Sequence, residues 1–199
     1  MSFERLKKQL HFLIEADKLK NIYRRTYLIC DTERLENDAE HSWHLTLIAI
    51  ILLEYATKRK DINQFHVLKM LIIHDMVEID AGDTYCYDQV ALQDKGEREI
   101  KAANRLFSIL PEDQQEHFLC LWKEFEEQET IEAKYAAAID RIQPLLLIYF
   151  TQGRTWIDHG IDLEQELKRN ELLKEITPAL WDYAKEIIHD AAQKGYLKS

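Results

Sequence analysis

The amino-acid sequence predicts an all-α fold, a single compact bundle of about eight helices that spans residues 1–199 as one domain. Glycine and proline are scarce, with 5 and 3 in 199 residues, whereas Leu, Ile, Ala, Glu and Lys abound. This composition favours long helices over a sheet with many turns. Apolar residues also recur at helical spacing along most of the chain.

The net charge of −10 argues against a nucleic-acid-binding surface, because such surfaces are basic. It is compatible with a small phosphorylated substrate, since a metal ion and one arginine supply local positive charge. Three cysteines, odd in number and without CxxC spacing, favour a reducing compartment over a disulfide framework. No run of about 18–20 apolar residues is present and no apolar signal core follows the N-terminus, so we expect no membrane span and a cytoplasmic protein.

The first helix is predicted at residues 3–19, where apolar residues alternate with charged ones at helical spacing. Residues 20–27 read as an irregular connection that contains Arg24 and Arg25. Two neighbouring arginines are ordinarily solvated surface. They would form an anion clamp if this segment folds over an acidic site.

The second helix is predicted at residues 39–57, with Asn37 or Asp38 as its N-cap. His41 lies at the start of its core-facing stripe, which continues with Leu45, Ile48, Leu52 and Tyr55. A satisfied core histidine is the usual explanation of such a position. His44 flanks the same stripe and is expected to support a ligand or to line a pocket.

The central helix is predicted at residues 61–78 and is apolar nearly all round. It ends in His74 and Asp75, and a carboxylate at such a place is unfavourable unless it is paired or bound to a cation. Glu78 follows at helical spacing and lies on the same face. Asp83 comes after a glycine turn, where it either caps the backbone or folds back toward Glu78.

Three further helices are predicted: one at 97–110, one from Pro111 into the acidic run 124–129, and one at 130–150. A loop follows at 151–160. The chain then ends with a polar helix at 161–176, interrupted near Asn170, and a last helix from 177 to 195. Within the 130–150 helix, Asp140 interrupts an apolar pattern and needs a partner, either Arg141 or a metal. Pro144 is expected to kink this helix.

Four candidate ligands, His41, His74, Asp75 and Asp140, therefore lie on three buried helices, and one divalent cation would explain all of them. Two imidazoles and two carboxylates suit Mn, Co, Ni, Fe or Zn better than Mg or Ca, which prefer oxygen ligands. Magnesium stays among the candidates because the ligand set does not name the ion.

This pattern of His, then His-Asp, then Asp in a helical chain resembles the HD-domain metal-dependent phosphohydrolases. The matching segments are Glu36-Asn37-Asp38-Ala39-Glu40-His41-Ser42-Trp43, His74-Asp75-Met76-Val77-Glu78, Gly82-Asp83 and Ile139-Asp140-Arg141. They agree in order and spacing over residues 18–150. The chain is most similar to the subgroup that contains the bacterial 5′-deoxynucleotidases.

The resemblance implies metal binding by His41, His74, Asp75 and Asp140, catalytic roles for Glu78 and Asp83, and phosphate binding by an arginine before the first histidine. Arg24 and Arg25 both compete for the last role. Arg24 is favoured because it is reached without a gap when counting back from His41. The implied activity is hydrolysis of (deoxy)nucleoside 5′-monophosphates to nucleoside and phosphate with one divalent metal ion, without a covalent intermediate.

The chain departs from its relatives at Thr26-Tyr27, where many have Gly-Trp, and at Thr84-Tyr85, where 5′-deoxynucleotidases have a Pro-containing turn. Both places lie near the sugar and base in relatives, so the preference for either stays open. Two other functions also stay open. One is a different HD phosphohydrolase activity, such as dNTP triphosphohydrolysis, and the other is a non-catalytic metal- or nucleotide-binding module. The resemblance further implies a homodimer, for which residues 97–125 offer an apolar face.

Overall fold

The computed structural model describes residues 3–198, so residues 1, 2 and 199 at the ends of the predicted domain lie outside the described part of the chain. The α-helices in residues 3–198 are α1 Phe3–Ala16, α2 Asp38–Leu52, α3 Gln64–Ile73, α4 Glu78–Ala81, α5 Lys95–Phe107, α6 Glu112–Glu127, α7 Ile131–Phe150, α8 Arg154–His159, α9 Leu163–Arg169, α10 Leu173–Ile176 and α11 Pro178–Gln193. The other elements are 3₁₀ turns at Asp17–Asn21, Leu53–Tyr55 and His74–Val77, and strands β1 Tyr23–Tyr27 and β2 Leu35–Asn37. The predicted helical fold is confirmed, with one small sheet in addition.

Eleven α-helices stand in the described residues where about eight were predicted, because the structure adds three short helices to the predicted set. The predicted loop at 151–160 contains α8, which lies between Gly153 and Gly160, both with positive φ. The predicted helix at 161–176 is divided at Asn170 into α9 and α10, as its sequence suggested. The third short helix, α4, follows the central helix.

The central helix ends earlier than predicted. It also begins later than predicted, at Gln64 with Asn63 as its N-cap, and it ends at Ile73, where it tightens into the 3₁₀ turn His74–Val77. At this point His74 Nδ1 donates a hydrogen bond to the carbonyl oxygen of Leu71, at 3.0 Å. A side chain thus satisfies one of the carbonyls that a helix end leaves without a partner.

The prediction of an irregular connection at residues 20–27 was wrong for its second half, which forms β1. This strand pairs antiparallel with β2, with Tyr23 opposite Asn37 and Tyr27 opposite Leu35. The sequence did not predict this strand, because its inward residues, Arg24 and Thr26, are polar and give no alternation of apolar and polar residues. The alternation nevertheless directs Arg24 and its neighbour to opposite faces.

Helix α7 lies at the centre of the core and packs against α2, α3, α6, α8, α10 and α11. It is continuous through Pro144. Small buried residues on α7, namely Ala133, Ala136, Ala137 and Ala138, let the neighbouring helices approach closely. The hydroxyl of Tyr135 donates to the carbonyl oxygen of Ala49 at 2.9 Å and ties α7 to α2. Polar side chains on α7 are therefore held in fixed positions inside the bundle.

The apolar side of α1 faces outward, apart from buried Phe12. Its exposed apolar side chains are Phe3, Leu6, Leu10, Leu13 and Ile14. In residues 97–125 the large apolar side chains are mostly buried in the core, and Ile100 is the large apolar one there that is exposed. Across the described helices, none is long and apolar enough to cross a membrane.

Candidate metal centre

Four side chains bring nitrogen and oxygen atoms to one point. His41 Nε2 lies 3.0 Å from Asp140 Oδ1 and 3.7 Å from Asp75 Oδ2. His74 Nε2 lies 3.1 Å from Asp75 Oδ2 and 3.8 Å from Asp140 Oδ1. Both imidazoles are buried. The four residues singled out as candidate ligands in the sequence are thus brought together in space.

Three separate elements supply these side chains. His41 lies in the first turn of α2, whose start is fixed by a capping box: Asn37 Oδ1 accepts from the Glu40 amide at 3.0 Å, and the Asn37 amide donates to Glu40 Oε2 at 3.3 Å. His74 and Asp75 stand in the 3₁₀ turn after α3. The fourth residue, Asp140, comes from the middle of α7.

Hydrogen bonds behind the imidazoles orient both rings. His74 Nδ1 donates to a backbone carbonyl, and His41 Nδ1 donates to Gln143 Oε1 at 2.9 Å. Gln143 Nε2 in turn donates to Glu36 Oε1 at 2.6 Å, and it lies 3.2 Å from His44 Nδ1. With Nδ1 protonated and hydrogen-bonded, Nε2 is the atom that faces the cluster, and it gains the lone pair that a metal-ligating histidine needs once its own proton is displaced.

Sequence reasoning missed Gln143 and Glu36. Gln143 stands in an apolar run three residues after Asp140, on the same side of α7, and its polar side chain there was the available signal. Glu36 offers a weaker signal, because it lies in a polar turn where acidic residues are common. Their positions become informative only once the strand and helix are folded together.

The charges of the site shift the pKa values of its members strongly. Burial lowers the pKa of His74, but the carboxylates of Asp75 and Asp140 outweigh burial and raise it to about 10. Burial raises the pKa of both Asp75 and Asp140. The interactions with His41 and His74 outweigh burial, so the pKa of each aspartate is lowered overall. Arg24 adds to the lowering for Asp75, and Arg141 adds to it for Asp140. The carboxylates are therefore ionised at neutral pH and ready to bind a cation.

These residues fit a divalent cation. His74 Nε2 is buried without a hydrogen-bond partner, although Asp75 lies nearby, and a buried polar atom in that state points to a missing partner. In residues 3–198, two groups of side chains have ligand atoms that all lie within 4.8 Å of one another: His41, His74 and Asp75, and Asp38, Asp75 and Glu78. The imidazole and carboxylate donors match the first-row transition metals.

A group of buried carboxylates adjoins the cluster. Burial and the charges of Asp75 and Asp38 raise the pKa of Glu78 well above its ordinary value. Burial and Asp75 likewise raise the pKa of Asp38 to about 7. Asp83, whose pKa is also raised by burial, lines the same cavity as Glu78. Asp38 was read from the sequence only as a possible helix cap.

The two candidate arginines are separated by the strand that carries them. Arg24 Nη1 lies 2.7 Å from Asp75 Oδ2 and 3.3 Å from Asp38 Oδ1. Burial lowers the pKa of Arg24, but Asp75 and Glu78 raise it well above the ordinary value. Arg25 is exposed and lines the adjoining cavity instead. The structure therefore brings Arg24, and not Arg25, into contact with the acidic cluster.

The cluster opens into a cavity of about 240 Å³. A smaller cavity of about 70 Å³ adjoins it, and its lining includes Tyr85, Tyr87, Leu145 and Ile148. Arg141 and Arg169 line both.

Of the two partners that the sequence left open for Asp140, Arg141 and a metal, Arg141 is in contact with it. Asp140 Oδ2 accepts from Arg141 Nη1 at 2.9 Å, while Oδ1 faces the histidines. Burial and the positive charge of Arg169 lower the pKa of Arg141. Sequence reasoning gave Arg169 no role, because it lies far along the chain in a polar helix.

The chain is similar to known proteins over most of its length. A family model described as an HD domain matches residues 16–181. The 5′-deoxynucleotidase HDDC2 of Bos taurus is 29% identical over 137 residues, which cover 69% of this chain and 64% of that protein. The human protein of the same name is 27% identical over 137 residues, which cover 65% of its length. The chain thus spans just under two thirds of these curated relatives.

Solved structures share the fold. A crystal structure of a predicted metal-dependent phosphohydrolase from Magnetospirillum magnetotacticum MS-1 is 44% identical, with a TM-score of 0.93 over 98% of this chain and 97% of that one. The PH0347 protein from Pyrococcus horikoshii OT3 is 21% identical, with a TM-score of 0.65 over 89% of this chain and 99% of its own. The second likeness concerns the fold alone.

Proposed function

The chain belongs to the HD domain family, and from this premise we propose that it is a divalent-metal-dependent phosphohydrolase acting on (deoxy)nucleoside 5′-monophosphates. One observation carries the proposal. Two histidine nitrogens and two carboxylate oxygens from three elements lie together, with each nitrogen within 3.8 Å of both oxygens. An arginine lies beside them. This is the arrangement that hydrolysis of a phosphate ester needs.

In this proposal His41, His74, Asp75 and Asp140 hold one divalent cation. When bound, the cation supplies Lewis-acid polarisation of a phosphoryl oxygen and a lowered pKa for water. Among Mn, Co, Ni, Fe, Zn and Mg, the two imidazole donors favour the transition metals. The hydrogen bonds from His41 to Gln143 and from His74 to Leu71 keep the imidazoles in place for this role.

We assign Glu78 and Asp83 to the handling of water. Burial and neighbouring carboxylates raise the pKa of Glu78, and a carboxylate with a raised pKa is a stronger base than an ordinary one. Asp83 lines the same cavity and has a pKa shifted in the same direction. Glu78 takes the proton from the attacking water in this proposal, and Asp83 orients the water or the substrate.

Arg24 is proposed to bind the phosphoryl group. Its guanidinium has donors in a planar fork that matches phosphate oxygens, and it already lies 2.7 Å from an oxygen of Asp75. A phosphate placed between Arg24 and the cation would have its charge neutralised from two sides. No serine or cysteine nucleophile is required, because water attacks phosphorus and the nucleoside leaves.

The nucleotide assignment has two supports. Several relatives bear the name 5′-deoxynucleotidase, and the adjoining cavity is lined by Tyr85 and Tyr87 together with aliphatic side chains. Aromatic and aliphatic walls suit a nucleoside. The substitutions Thr26-Tyr27 and Thr84-Tyr85 fall on this cavity or next to it, so the base and sugar preference is left to experiment.

Location and assembly complete the proposal. Cys30, Cys86 and Cys120 are free thiols, which supports a reducing compartment, and we propose the cytoplasm. The outward side of α1 exposes five large apolar side chains, and a contiguous apolar patch of this kind marks an interaction surface. We propose that it is covered by a second copy of the chain, in one domain of residues 1–199 per subunit. Light scattering in solution is expected to give twice the subunit mass, and a monomer would refute the dimer.

The test is phosphate release from nucleoside mono-, di- and triphosphates, ribo and deoxy, with Mn, Co, Mg or Zn supplied in turn. We expect release from deoxynucleoside 5′-monophosphates and from few others. Tripolyphosphate from a triphosphate would instead indicate triphosphohydrolase activity, and bound metal without any release would indicate a regulatory module.

A variant pair tests the ligand assignment within the same assay. Asp75→Ala is expected to lose both bound metal and activity while it stays folded, and Asp61→Ala, an exposed aspartate outside the site, is expected to keep both. Elemental analysis and circular dichroism provide the readouts. Metal retained at the normal ratio in Asp75→Ala would exclude Asp75 as a ligand.

A further inference from the structure

Two arginines outside the metal cluster, Arg141 and Arg169, line its cavity together. Arg169 ends α9 and Arg141 lies in α7, and both line the cavity of the cluster, the smaller adjoining cavity and a third that opens beyond them. Their side chains come from segments far apart in sequence. The two like charges disfavour each other, and burial together with the charge of Arg169 lowers the pKa of Arg141.

Arg169 has no hydrogen bond or ion pair among residues 3–198, although it is partly buried. Its guanidinium carbon lies 5.9 Å from the centroid of the Tyr87 ring. A cation withdrawn from water without a partner is unfavourable. Burial lowers the pKa of Arg169, but nearby acidic groups, among them Asp140 and Glu166, raise it overall. None of them accepts a hydrogen bond from Arg169 in the described residues, so its N–H donors remain available to an anion.

The acidic side chain that precedes Arg169 by one turn of α9 accepts its hydrogen bonds from other groups. Glu166, one turn before Arg169 on α9, accepts from the Tyr87 hydroxyl at 2.7 Å, from Trp156 Nε1 at 2.9 Å and from Asn170 Nδ2 at 2.8 Å. These three donors fix its carboxylate in a structural role. Arg141 donates one bond to Asp140 and keeps most of its five N–H donors free.

We propose that Arg141 and Arg169 form a second anion subsite, which binds a second phosphoryl group of the substrate. Two positive charges match a dianionic phosphate monoester, and two planar forks match its three oxygens better than the two of a carboxylate. Arg141 joins this subsite to the cluster through Asp140. The substrate class is thus a small metabolite with two separate phosphoryl groups, such as a nucleoside 3′,5′-bisphosphate.

This inference rests on the proposed function, which accounts for the phosphate that is hydrolysed at the metal cluster. The inference adds that the substrate carries a second phosphoryl group. The chemistry is simple. Water attacks the phosphorus held at the metal cluster, the ester oxygen leaves with a proton, and the second phosphoryl group stays intact on the product.

The experiment compares 2′-deoxyadenosine 5′-monophosphate with 2′-deoxyadenosine 3′,5′-bisphosphate in two assays. The first is binding by calorimetry with a chelator present, so that no turnover occurs. The second is kcat/KM with the metal supplied. Both are measured for the wild type, Arg169→Gln, Arg169→Lys and the control Arg59→Gln, which removes the same charge from an exposed position.

We expect the wild type to bind and hydrolyse the bisphosphate at least about tenfold better than the monophosphate. Arg169→Gln should remove most of this preference, Arg169→Lys should keep part of it, and Arg59→Gln should keep it all. Equal binding of both nucleotides by the wild type, or an equal loss for both in Arg169→Gln, would overturn the subsite. Circular dichroism shows whether each variant folds, and Arg141→Gln offers a second variant.

The two assays separate the subsite from the proposed function. Normal hydrolysis of the monophosphate without any preference for the bisphosphate would refute the subsite and leave the activity standing. Tighter binding of the bisphosphate that depends on Arg169, with no phosphate released from either nucleotide, would support the subsite and refute the activity.

Discussion

At the scale of single residues, the candidate site depends on side chains that have lost their freedom to reorient. His41 is buried and hydrogen-bonded on its far side to Gln143, which is itself held by Glu36. A histidine fixed in this way presents Nε2 without rotation or a change of tautomer, so little conformational entropy is lost when a cation binds. The amide of Gln143 is suited to this place because it donates to Glu36 and accepts from His41 at once.

Replacement of Gln143 by leucine should lower metal affinity by about 10–100-fold, because His41 loses the acceptor that fixes its tautomer. Affinity is measured by competition with a chelator. Gln93→Leu, at an exposed glutamine, is the control and should change affinity little. A folded Gln143→Leu protein with unaltered metal affinity would show that the hydrogen bond does not support the site.

Arg24 illustrates why residue identity alone does not assign a role. Its neighbour Arg25 has the same side chain, yet the alternation of β1 leaves Arg25 exposed and brings Arg24 within 2.7 Å of Asp75. The difference between the two is therefore one of strand geometry.

At the scale of elements, each candidate ligand stands where a helix starts, ends or is disturbed. His41 lies in the first turn of α2 and His74 at the end of α3, while Pro144 removes the amide that would otherwise donate to the carbonyl of Asp140. Helix ends leave backbone groups without partners, so side chains there are turned toward specific neighbours. The caps consequently affect both stability and the position of ligands.

The N-caps of α2 and α3 give a matched test of this coupling. Asn37→Ala and Asn63→Ala each remove a side chain that accepts from an amide of the first turn, and each should lower the free energy of unfolding by about 1 kcal/mol. Only Asn37→Ala should also weaken metal binding clearly, because His41 lies in the turn that Asn37 caps.

Denaturant unfolding and chelator competition measure the two effects for both variants. Equal losses of metal affinity in Asn37→Ala and Asn63→Ala would contradict a local role of the α2 cap.

At the scale of the whole molecule, the site is a concentration of opposing charges inside a chain with a net charge of −10. The carboxylates around the cluster are held in place by a close-packed core, in which α7 packs against six other α-helices of the described residues. In the cation-free protein, protons on the imidazoles take over part of the neutralisation. A bound cation should therefore stabilise the fold and compete with those protons.

The pKa of His74 determines the sign of this competition. Its folded-state pKa of about 10 lies above the ordinary value of 6.5, so its protonated form stabilises the cation-free fold fully below about pH 6.5, and this contribution is lost as the pH rises toward 10. Metal affinity should rise over the same window, because the cation must displace the proton.

We therefore expect the difference in Tm between metal-saturated and chelated protein to be about 5–10 °C at a hundredfold excess over Kd, and to grow between about pH 6.5 and about pH 8.5. Thermal unfolding at both pH values measures it. A difference in Tm that shrinks as the pH rises would contradict the proton competition.

The sequence by itself predicted the helical fold and the four residues that meet in the cluster. It could do so because these residues interrupt apolar helical patterns, and a polar residue inside a core has to be explained by a partner. The N-cap of α2, the break near Asn170 and the start of the last helix were also readable, because they follow from local backbone chemistry.

Only the tertiary structure decided the rest. Strand β1, the end of α3 at Ile73 and the contact of Arg24 rather than Arg25 with the acidic cluster depend on pairing with distant segments. Gln143, Glu36, Asp38 and the pair Arg141 and Arg169 came into view only when segments up to about a hundred residues apart were folded against each other. Local patterns record which face of a helix is apolar, but not which polar groups from other elements will meet it, because that depends on long-range packing.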